Sequence, residues 1–292
     1  MSVRWSRILG LVLVLLLGVH LCLAQVKLAQ LSDTHLRSPD APRAVENLKK
    51  AVQMINDRGP DVVIVTGDIA ESPEGWQEAR DILKELKAPV HYVPGNHDVK
   101  ANPGDVEKWR GVFGKDYYKF KVKNVTLVSI NSQLLGNFDN FSAKEPPPLP
   151  AEVDDESEKM LTWMGQQSKI RVAQATGERF APAWQARGVV VGFQHVPLFR
   201  TELEGGQFPI DPKPYWVVSE PYRGKEMKLL KQLGIKHMFV GHWHRGVVYD
   251  AEGITWHVAP STARILWGGT YGFALHTIEP NGAVRTEFVD IK

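Results

Sequence analysis

Short apolar segments that each end at a cluster of polar residues constrain the fold of this 292-residue chain most strongly. Three of them lie in the first hundred residues, at Val26–Leu31, Val62–Val65 and Val90–Val93. Runs of this kind are typical of buried strands that lead into loops. Helical periodicity separates them over Arg43–Arg58 and over Glu74–Leu86. The order predicts a β-α-β-α-β arrangement around a parallel sheet, and therefore an α/β fold.

The remainder of the chain continues in β-rich sequence. Further strands are predicted at Tyr117–Val122, Val125–Ile130, Val189–Phe193 and His237–Val240, with hairpin-like segments over Val247–Val289. Two proline-rich stretches, Glu145–Pro150 and Phe199–Val217, interrupt this pattern, and we expect both to be long loops at the rim of a substrate site. The acidic run Glu152–Glu158 is interpreted as a solvated loop or as the start of a helix.

The first 24 residues differ in character from the rest. Arg4 and Arg7 precede a long apolar run, which ends in small residues at Cys22 and Ala24. This pattern predicts a signal peptide over residues 1–24 and a single domain over residues 25–292. We therefore expect an exported protein, periplasmic or secreted, without a membrane span after cleavage. An uncleaved membrane anchor is the alternative, because the run is only slightly shorter than the roughly 20 residues that a spanning helix needs.

Charge and cysteine content exclude several classes of protein. The chain has 35 Lys and Arg against 33 Asp and Glu, and two of the basic residues, Arg4 and Arg7, fall in the leader. The predicted body is thus neutral, which argues against a dedicated nucleic-acid-binding protein. The single cysteine is Cys22, so the body has neither disulfides nor thiolate ligands.

Five clusters of potential metal ligands follow the predicted strands. They are Asp33-Thr34-His35, Gly67-Asp68, Gly95-Asn96-His97-Asp98, Gln194-His195 and Gly241-His242-Trp243-His244. Residues two apart in an extended chain point to the same side, and loops at the carboxyl ends of strands converge on one crevice. Carboxylate, imidazole and amide ligands suit Fe, Mn or Zn. Their number exceeds what one ion needs, so the clusters predict a hydrolase with two metal ions.

In this order, the five clusters resemble the motifs of the calcineurin-like metallophosphoesterase superfamily, over the range Leu28–Arg245. The resemblance implies a four-layer α/β/β/α sandwich with a dinuclear metal site at the C-terminal ends of the strands. It implies one metal held by Asp33, His35 and His244. The other would be held by Asn96, His195 and His242, with Asp68 bridging the two. It further implies that His97 is a general acid or transition-state stabiliser and that Asp98 orients its ring.

The implied activity is hydrolysis of phosphate esters by in-line attack of a hydroxide that bridges the two ions, with His97 assisting the departing oxygen. Glu71 stands where purple acid phosphatases have a tyrosine ligand, which distinguishes this chain from them. The remaining similarity is to the cyclic-nucleotide phosphodiesterase-like branch and to the calcineurin-like phosphoesterase domain-containing Ser/Thr phosphatases.

A phosphomonoesterase or protein phosphatase is therefore expected, acting on a small phosphate ester or a phosphoprotein. A phosphodiesterase of the cyclic-nucleotide type is the main alternative, and a non-catalytic exported metal-binding protein is a lesser one. No particular oligomeric state is predicted.

Four further histidines lie within predicted strands and have no partner at ligand spacing. They are His91, His237, His257 and His276. We interpret them as packed or surface histidines and exclude them from the site. The guanidinium groups of Arg200, Arg223 and Arg245 suit phosphate, but none of the three is predicted to bind it.

Overall fold

Eleven strands and five α-helices are found in the parts of the chain that the computed structural model describes, residues 25–176, 188–201 and 213–292. The predicted signal peptide and residues 202–212 of the second predicted loop lie outside these ranges. The helices are α1 (Ala44–Arg58), α2 (Pro73–Leu83), α3 (Pro103–Phe113), α4 (Ala151–Thr176) and α5 (Tyr222–Leu233). Two short 3₁₀ helices lie at Ser132–Leu134 and Pro214–Trp216.

The strands form two sheets. The first contains β1 (Val26–Leu31), β2 (Val62–Thr66), β3 (Val90–Val93), β10 (Gly272–Ile278) and β11 (Val284–Asp290). The second contains β4 (Tyr118–Val122), β5 (Val125–Ser129), β6 (Val189–Phe193), β7 (His237–Val240), β8 (Val247–Ala251) and β9 (Ile254–Val258). Both sheets are mixed, and antiparallel strands lie at one edge of the first sheet and at both edges of the second.

In the first sheet the strand order is β11-β10-β1-β2-β3, with β1, β2 and β3 parallel and β10 antiparallel to β1. Leu28 of β1 pairs with Val62 of β2 on one side and with His276 of β10 on the other. In the second sheet the order is β4-β5-β6-β7-β9-β8, and the four inner strands are parallel. The carboxyl ends of the parallel strands therefore share one edge of each sheet.

The core lies in layers because successive side chains of a strand point to opposite faces. One buried cluster joins the two sheets and includes Val26, Leu28, Val62, Ile64, Val93, Val125, Leu127, Val191, Phe193, Phe239 and Ile278. Alternate strand residues, such as Ala29 and Leu31, belong instead to a cluster shared with the helices. Burial of each such aliphatic or aromatic side chain contributes about 1.5–3 kcal/mol. These layers confirm the predicted four-layer α/β/β/α sandwich.

Local sequence signals set the ends of the first two helices. The hydroxyl of Ser72 caps α2 by accepting a hydrogen bond from Gly75 N, and Pro73 occupies the first turn. Helix α1 ends at Gly59, whose φ of 56° is a left-handed conformation that glycine adopts without strain. Among the described residues, no helix combines the length and the apolar character that crossing a bilayer requires.

The structure refines the predicted loops. The stretch Glu145–Pro150 contains no helix or strand, as expected. The acidic run Glu152–Glu158 forms the first two turns of α4, where negative charges interact favourably with the helix dipole. Helices α3 and α5 were not predicted, because few residues of each contribute to an apolar stripe.

Candidate metal centre

All seven predicted metal ligands lie together, at the edge where β1, β2, β3, β6 and β7 end. These residues are Asp33, His35, Asp68, Asn96, His195, His242 and His244. All are buried, with relative exposures of 0–6%. Four ligands follow strands of the first sheet, and three follow strands of the second. The site therefore forms only when the two sheets pack against each other.

The turns that carry the ligands are strained. Five ligands have left-handed backbone conformations, with φ of 53° at Asp33, 40° at His35, 51° at Asp68, 70° at His242 and 51° at His244. Such conformations cost about 1–3 kcal/mol each in residues other than glycine and concentrate at functional sites. The pairs at positions 33/35 and 242/244 therefore converge through tight turns, and not through the alternation of an extended strand that the sequence suggested.

Glycines next to these ligands permit close approach of the backbone. A Cβ atom on Gly95 would overlap the carboxylate of Asp68. A Cβ atom on Gly241 would overlap Ser32 Oγ and lie 2.7 Å from Asp33 Oδ2. These two positions accept no larger residue unless a ligand moves.

The ligand atoms form two groups that share Asp68. One group contains Asp33, His35, Asp68 and His244, and the other contains Asp68, His195 and His242, with the ligand atoms of each group within 4.8 Å of one another. Asn96 joins the second group, because its Oδ1 lies 3.1 Å from His195 Nε2. A carboxylate common to two groups is suited to bridging a pair of metal ions.

Each of three predicted ligand histidines has one ring nitrogen bonded to an oxygen outside the ligand set, and its other nitrogen faces the remaining predicted ligands. His35 Nδ1 bonds to Glu71 at 2.9 Å, His195 Nδ1 to Thr66 O at 2.7 Å and His242 Nε2 to Tyr215 O at 2.8 Å. A carbonyl or carboxylate oxygen can only accept, so each of these nitrogens carries the proton. This tautomer control is usual for histidines that bind metals.

Electrostatics also favours cation binding. Burial lowers the pKa of His195, but the charge and hydrogen bond of Asp68 outweigh it and raise that pKa to about 9. Burial would likewise raise the pKa of Asp68, yet His195 and His97 hold it well below its usual range. Burial keeps His35 and His242 neutral, with pKa values of about 4 and about 3. The anionic carboxylates and the neutral rings of His35 and His242 are donors that fit divalent metal ions, whereas His195 must lose a proton to bind one.

Glu71 connects one predicted ligand to His97. Its Oε1 accepts from His35 Nδ1 at 2.9 Å and its Oε2 accepts from His97 Nδ1 at 2.8 Å. Burial opposes ionisation of Glu71, but the two histidines keep its pKa far below the usual range. The backbone N–H of His97 donates to Asp68 Oδ1 at 2.8 Å. Glu71 thus orients the imidazole of His97 and anchors a metal ligand.

The role expected for Asp98 is wrong. Its carboxylate accepts hydrogen bonds from the backbone N–H groups of Ile69, Ala70 and Gly95 and from Trp76 Nε1. Asp98 therefore ties the turn after β2 to the turn after β3 and to α2, while the His97 ring bonds to Glu71. The sequence offers one signal for Glu71, its position three residues after Asp68, where purple acid phosphatases have a tyrosine ligand.

A cavity of about 350 Å³ lies above the ligands. Its lining includes Asp68, His97, His242, His244, Arg264, Leu266 and four aromatic residues, Phe141, Tyr215, Trp216 and Trp267. Arg264 approaches Glu71 Oε1 to 3.6 Å, and its buried Nε has no hydrogen-bond partner among the described residues. Sequence reasoning missed Arg264, because no neighbouring motif distinguishes it from a surface arginine.

Three of the four histidines excluded from the site form a separate, largely buried network, of which His237 is only partly buried. His237 Nδ1 bonds to His257 Nε2 at 3.0 Å, and Thr286 Oγ1 bonds to both His257 Nδ1 and His276 Nδ1, at 2.8 and 2.9 Å. His276 Nε2 bonds to Gln30 Oε1 at 3.0 Å. We call these five residues the histidine seam. None of them belongs to a group of potential metal ligands found in the described part of the chain.

The four-layer fold and the paired ligand groups define a metallohydrolase. The family model of the calcineurin-like phosphoesterases matches residues 26–246, so the chain belongs to this family. Members depend on two metal ions, and the protein is accordingly a metal-dependent phosphoric ester hydrolase.

The chain is similar to two curated proteins and to one solved structure that bear on its function and fold. It is 25% identical over 277 residues to the serine/threonine-protein phosphatase CPPED1 of Danio rerio, covering 90% of this chain and 80% of the relative. It is 24% identical over 253 residues to a probable cyclic nucleotide phosphodiesterase of Fibrobacter succinogenes, covering 81% and 80%. A dimetal phosphatase from Danio rerio shares the fold with a TM-score of 0.58 at 13% identity, covering 91% of this chain and 99% of that one.

Proposed function

We propose that the protein is a phosphomonoesterase, acting on small phosphate esters or on phosphorylated protein side chains. The observation that carries this proposal is the pair of ligand groups sharing Asp68 beneath a cavity that also contains His97 and Arg264. Several cationic groups facing one small cavity suit the dianionic phosphate of a monoester. The similarity to CPPED1 over most of the chain supports the same choice.

The ligand groups suggest how two ions would be held. Asp33, His35 and His244 would bind one ion, and Asn96, His195 and His242 the other, with Asp68 between them. Nitrogen and oxygen ligands without thiolate suit Fe, Mn or Zn. Two such ions would supply hydroxide near neutral pH and neutralise charge on the phosphate oxygens.

His97 is proposed to protonate the departing oxygen. Glu71 holds the proton on Nδ1, which leaves Nε2 to donate toward the cavity. Burial lowers the pKa of His97, but Asp68 and Glu71 outweigh burial and raise it, which favours the protonated ring that a general acid needs. Arg264 is proposed to bind a phosphate oxygen through its unpartnered Nε.

A phosphodiesterase of the cyclic-nucleotide type is the second candidate, supported by the relative from Fibrobacter succinogenes. The test measures metal per chain and hydrolysis of nitrophenyl phosphate and bis(nitrophenyl) phosphate by Mn-, Fe- and Zn-loaded protein. About two metals per chain with faster, chelator-sensitive monoester hydrolysis is expected. Faster diester hydrolysis would favour the second candidate, and bound metal without turnover of either ester would favour a metal-binding protein.

We also propose that the protein is exported and that its leader is removed after Ala24. The composition of residues 1–24 supports this, with two arginines followed by an apolar run. Amino-terminal sequencing of protein recovered outside the cytoplasm tests the proposal. A sequence that begins at Gln25 is expected, whereas an intact leader would indicate an anchor.

A further inference from the structure

Four aromatic side chains line one side of the cavity, and we call them the aromatic wall: Phe141, Tyr215, Trp216 and Trp267. Neighbouring rings are in contact, with centroids 5.2 Å apart for Phe141 and Tyr215, 5.0 Å for Tyr215 and Trp216, and 4.8 Å for Trp216 and Trp267. The Tyr215 ring lies 4.9 Å from that of His242. The wall therefore extends from the ligand cluster to the mouth of the cavity.

The rings of the wall differ in how far they are buried. Trp216 is buried, and its backbone carbonyl accepts from Trp243 Nε1. Tyr215 accepts from Asn96 Nδ2 through its hydroxyl and from His242 through its carbonyl oxygen. Phe141, by contrast, is 49% exposed, and Trp267 is only partly buried. Large aromatic surfaces left accessible at the mouth of a polar cavity are typical of ligand-binding sites.

Two cationic side chains lie beside the cavity and the wall. Arg264 lines the cavity, with its guanidinium 3.6 Å from Glu71 Oε1. At the outer end, Lys213 Nζ lies 4.1 Å from the centroid of the Phe141 ring. A ligand with its phosphate at Arg264 would therefore place its organic part along the aromatic rings.

We propose that the aromatic wall binds the alcohol part of the phosphate ester, and that the preferred substrates carry a planar aromatic ring there. This inference rests on the proposed function, because it places the phosphate at the metal centre. An aryl alcohol and a nucleobase both supply such a ring, since both present the same flat π surface.

The geometry of the wall favours a flat ring over an aliphatic group. Adjacent rings meet at steep angles, 89° for Tyr215 and Trp216 and 66° for Trp216 and Trp267. A planar guest can stack on one ring and meet the edge of the next, an arrangement that aromatic pairs prefer. A saturated ring is thicker and lacks the quadrupole that makes these contacts specific.

The test compares benzyl phosphate with cyclohexylmethyl phosphate. Both are esters of primary alcohols with the same number of carbon atoms, so their ratio of kcat/KM reports ring recognition and not the strength of the bond that breaks. We expect the wild type to prefer the benzyl ester by about five- to tenfold. Trp267→Leu should reduce the preference to less than about twofold, and Phe141→Leu should reduce it in part.

Phe288→Leu is the matched control, because Phe288 is 38% exposed on β11 and does not line the cavity. It should retain the wild-type ratio. Phe141→Leu keeps the test decisive if Trp267→Leu does not fold, since Phe141 is the more exposed. Circular dichroism and metal content must match the wild type in each variant compared.

Binding of benzylphosphonate, which cannot be hydrolysed, provides a readout independent of turnover. Calorimetry should show an affinity about five- to tenfold weaker for Trp267→Leu than for the wild type. A second pair of esters, a nucleoside 5′-monophosphate and ribose 5-phosphate, separates the two sources of the ring. If the ratio of kcat/KM within this pair is larger than within the benzyl pair, the preferred ring is a nucleobase. If it is smaller, the preferred ring is an aryl group.

The failures of the two proposals are distinguishable. No hydrolysis of any ester by metal-loaded wild type would contradict the proposed function. Hydrolysis of the benzyl and cyclohexylmethyl esters with equal kcat/KM, unchanged in Trp267→Leu, would contradict the aromatic-ring inference alone.

Discussion

The protein contains two sets of buried histidines with different surroundings. In the metal centre, four histidines face the carboxylates of Asp33 and Asp68. In the histidine seam, His237, His257 and His276 hydrogen-bond to one another and to neutral side chains, and the Asp250 carboxylate acts on His237 and His257 only through its charge. Both sets join the two sheets, so burial and sheet position do not distinguish a metal site from a structural network.

Hydrogen-bond direction explains the difference. Gln30 Nε2 donates to Val240 O, so Gln30 Oε1 faces His276 and must accept from its Nε2. His276 Nδ1 then accepts from the Thr286 hydroxyl. The hydroxyl in turn accepts from His257 Nδ1, whose other nitrogen accepts from His237. Both ring nitrogens of His257 and His276 are therefore occupied, and these two rings have no lone pair to offer a cation.

The metal centre differs in backbone as well as in charge. The seam histidines lie on strands β7, β9 and β10, whereas five of the predicted metal ligands occupy left-handed turns. Such turns are retained where the surrounding structure holds them for a function. A buried histidine with one tied nitrogen, a nearby carboxylate and a strained turn is thus a better indicator of metal binding than burial alone.

The largest effect should follow from Asp68→Asn, which removes the negative charge shared by both ligand groups. Metal content should fall from about two to one or fewer per chain, and kcat by on the order of 10⁴-fold, since charge stabilisation by two ions is worth several kcal/mol. Elemental analysis and turnover of the same sample check this. Asp81→Asn, on the exposed side of α2, is the control. Full metal occupancy in Asp68→Asn would contradict the bridging role.

Removal of the proposed acid should affect turnover but not metal binding. His97→Gln is expected to retain about two metals and to lose about 10³-fold in kcat, within the usual range for general acid catalysis. The loss should be smaller for a nitrophenyl ester, whose leaving group needs little protonation, than for an alkyl ester. An equal loss for both esters would show that His97 does not protonate the leaving group.

A smaller effect is expected from Glu71→Gln, which keeps the shape of the side chain that links His35 to His97. Loss of such a supporting carboxylate typically costs about 10–100-fold in activity or metal affinity. Titration with Mn and steady-state kinetics should show weaker metal binding together with a lower kcat. Glu74→Gln on α2 is the exposed control. Metal affinity and kcat equal to those of the wild type would show that Glu71 supports neither metal binding nor turnover.

The convergence of the seven predicted ligands on one edge was predictable, because each follows an apolar strand and the sheet topology aligns the ends of those strands. The positions of Glu71 and Arg264 in the site were not predictable, because the two residues approach each other only when two loops distant in sequence fold over the predicted ligands. Helix α3 buries only Val106 and Trp109, which leaves too short an apolar pattern to recognise. Glu71, and not Asp98, bonds to the His97 ring. The spacing of a motif indicates which residues lie near one another, but the conformation of the turns decides which hydrogen bonds form.

The smallest effect on catalysis, and the clearest effect on stability, should come from His257→Gln in the seam. Metal content and kcat at pH 7 should stay within about twofold of wild type, because the seam offers no ligand. Burial lowers the pKa of His257 to about 3, with His237 adding to the effect. The unfolded chain, with a pKa near 6.5, therefore binds more protons than the folded one as pH falls below that value.

Wild-type stability should consequently decrease with acid, by roughly 3 kcal/mol between pH 6.5 and pH 4 from this one group. The variant lacks this dependence but loses seam hydrogen bonds worth about 1–3 kcal/mol. It should thus be the less stable protein at pH 7, with the difference shrinking toward pH 4. Urea unfolding of metal-free protein at both pH values measures this without interference from metal release. Parallel pH dependence in the two proteins, or loss of metal from the variant at pH 7, would mean that the seam and the metal centre are not the separate histidine sets described above.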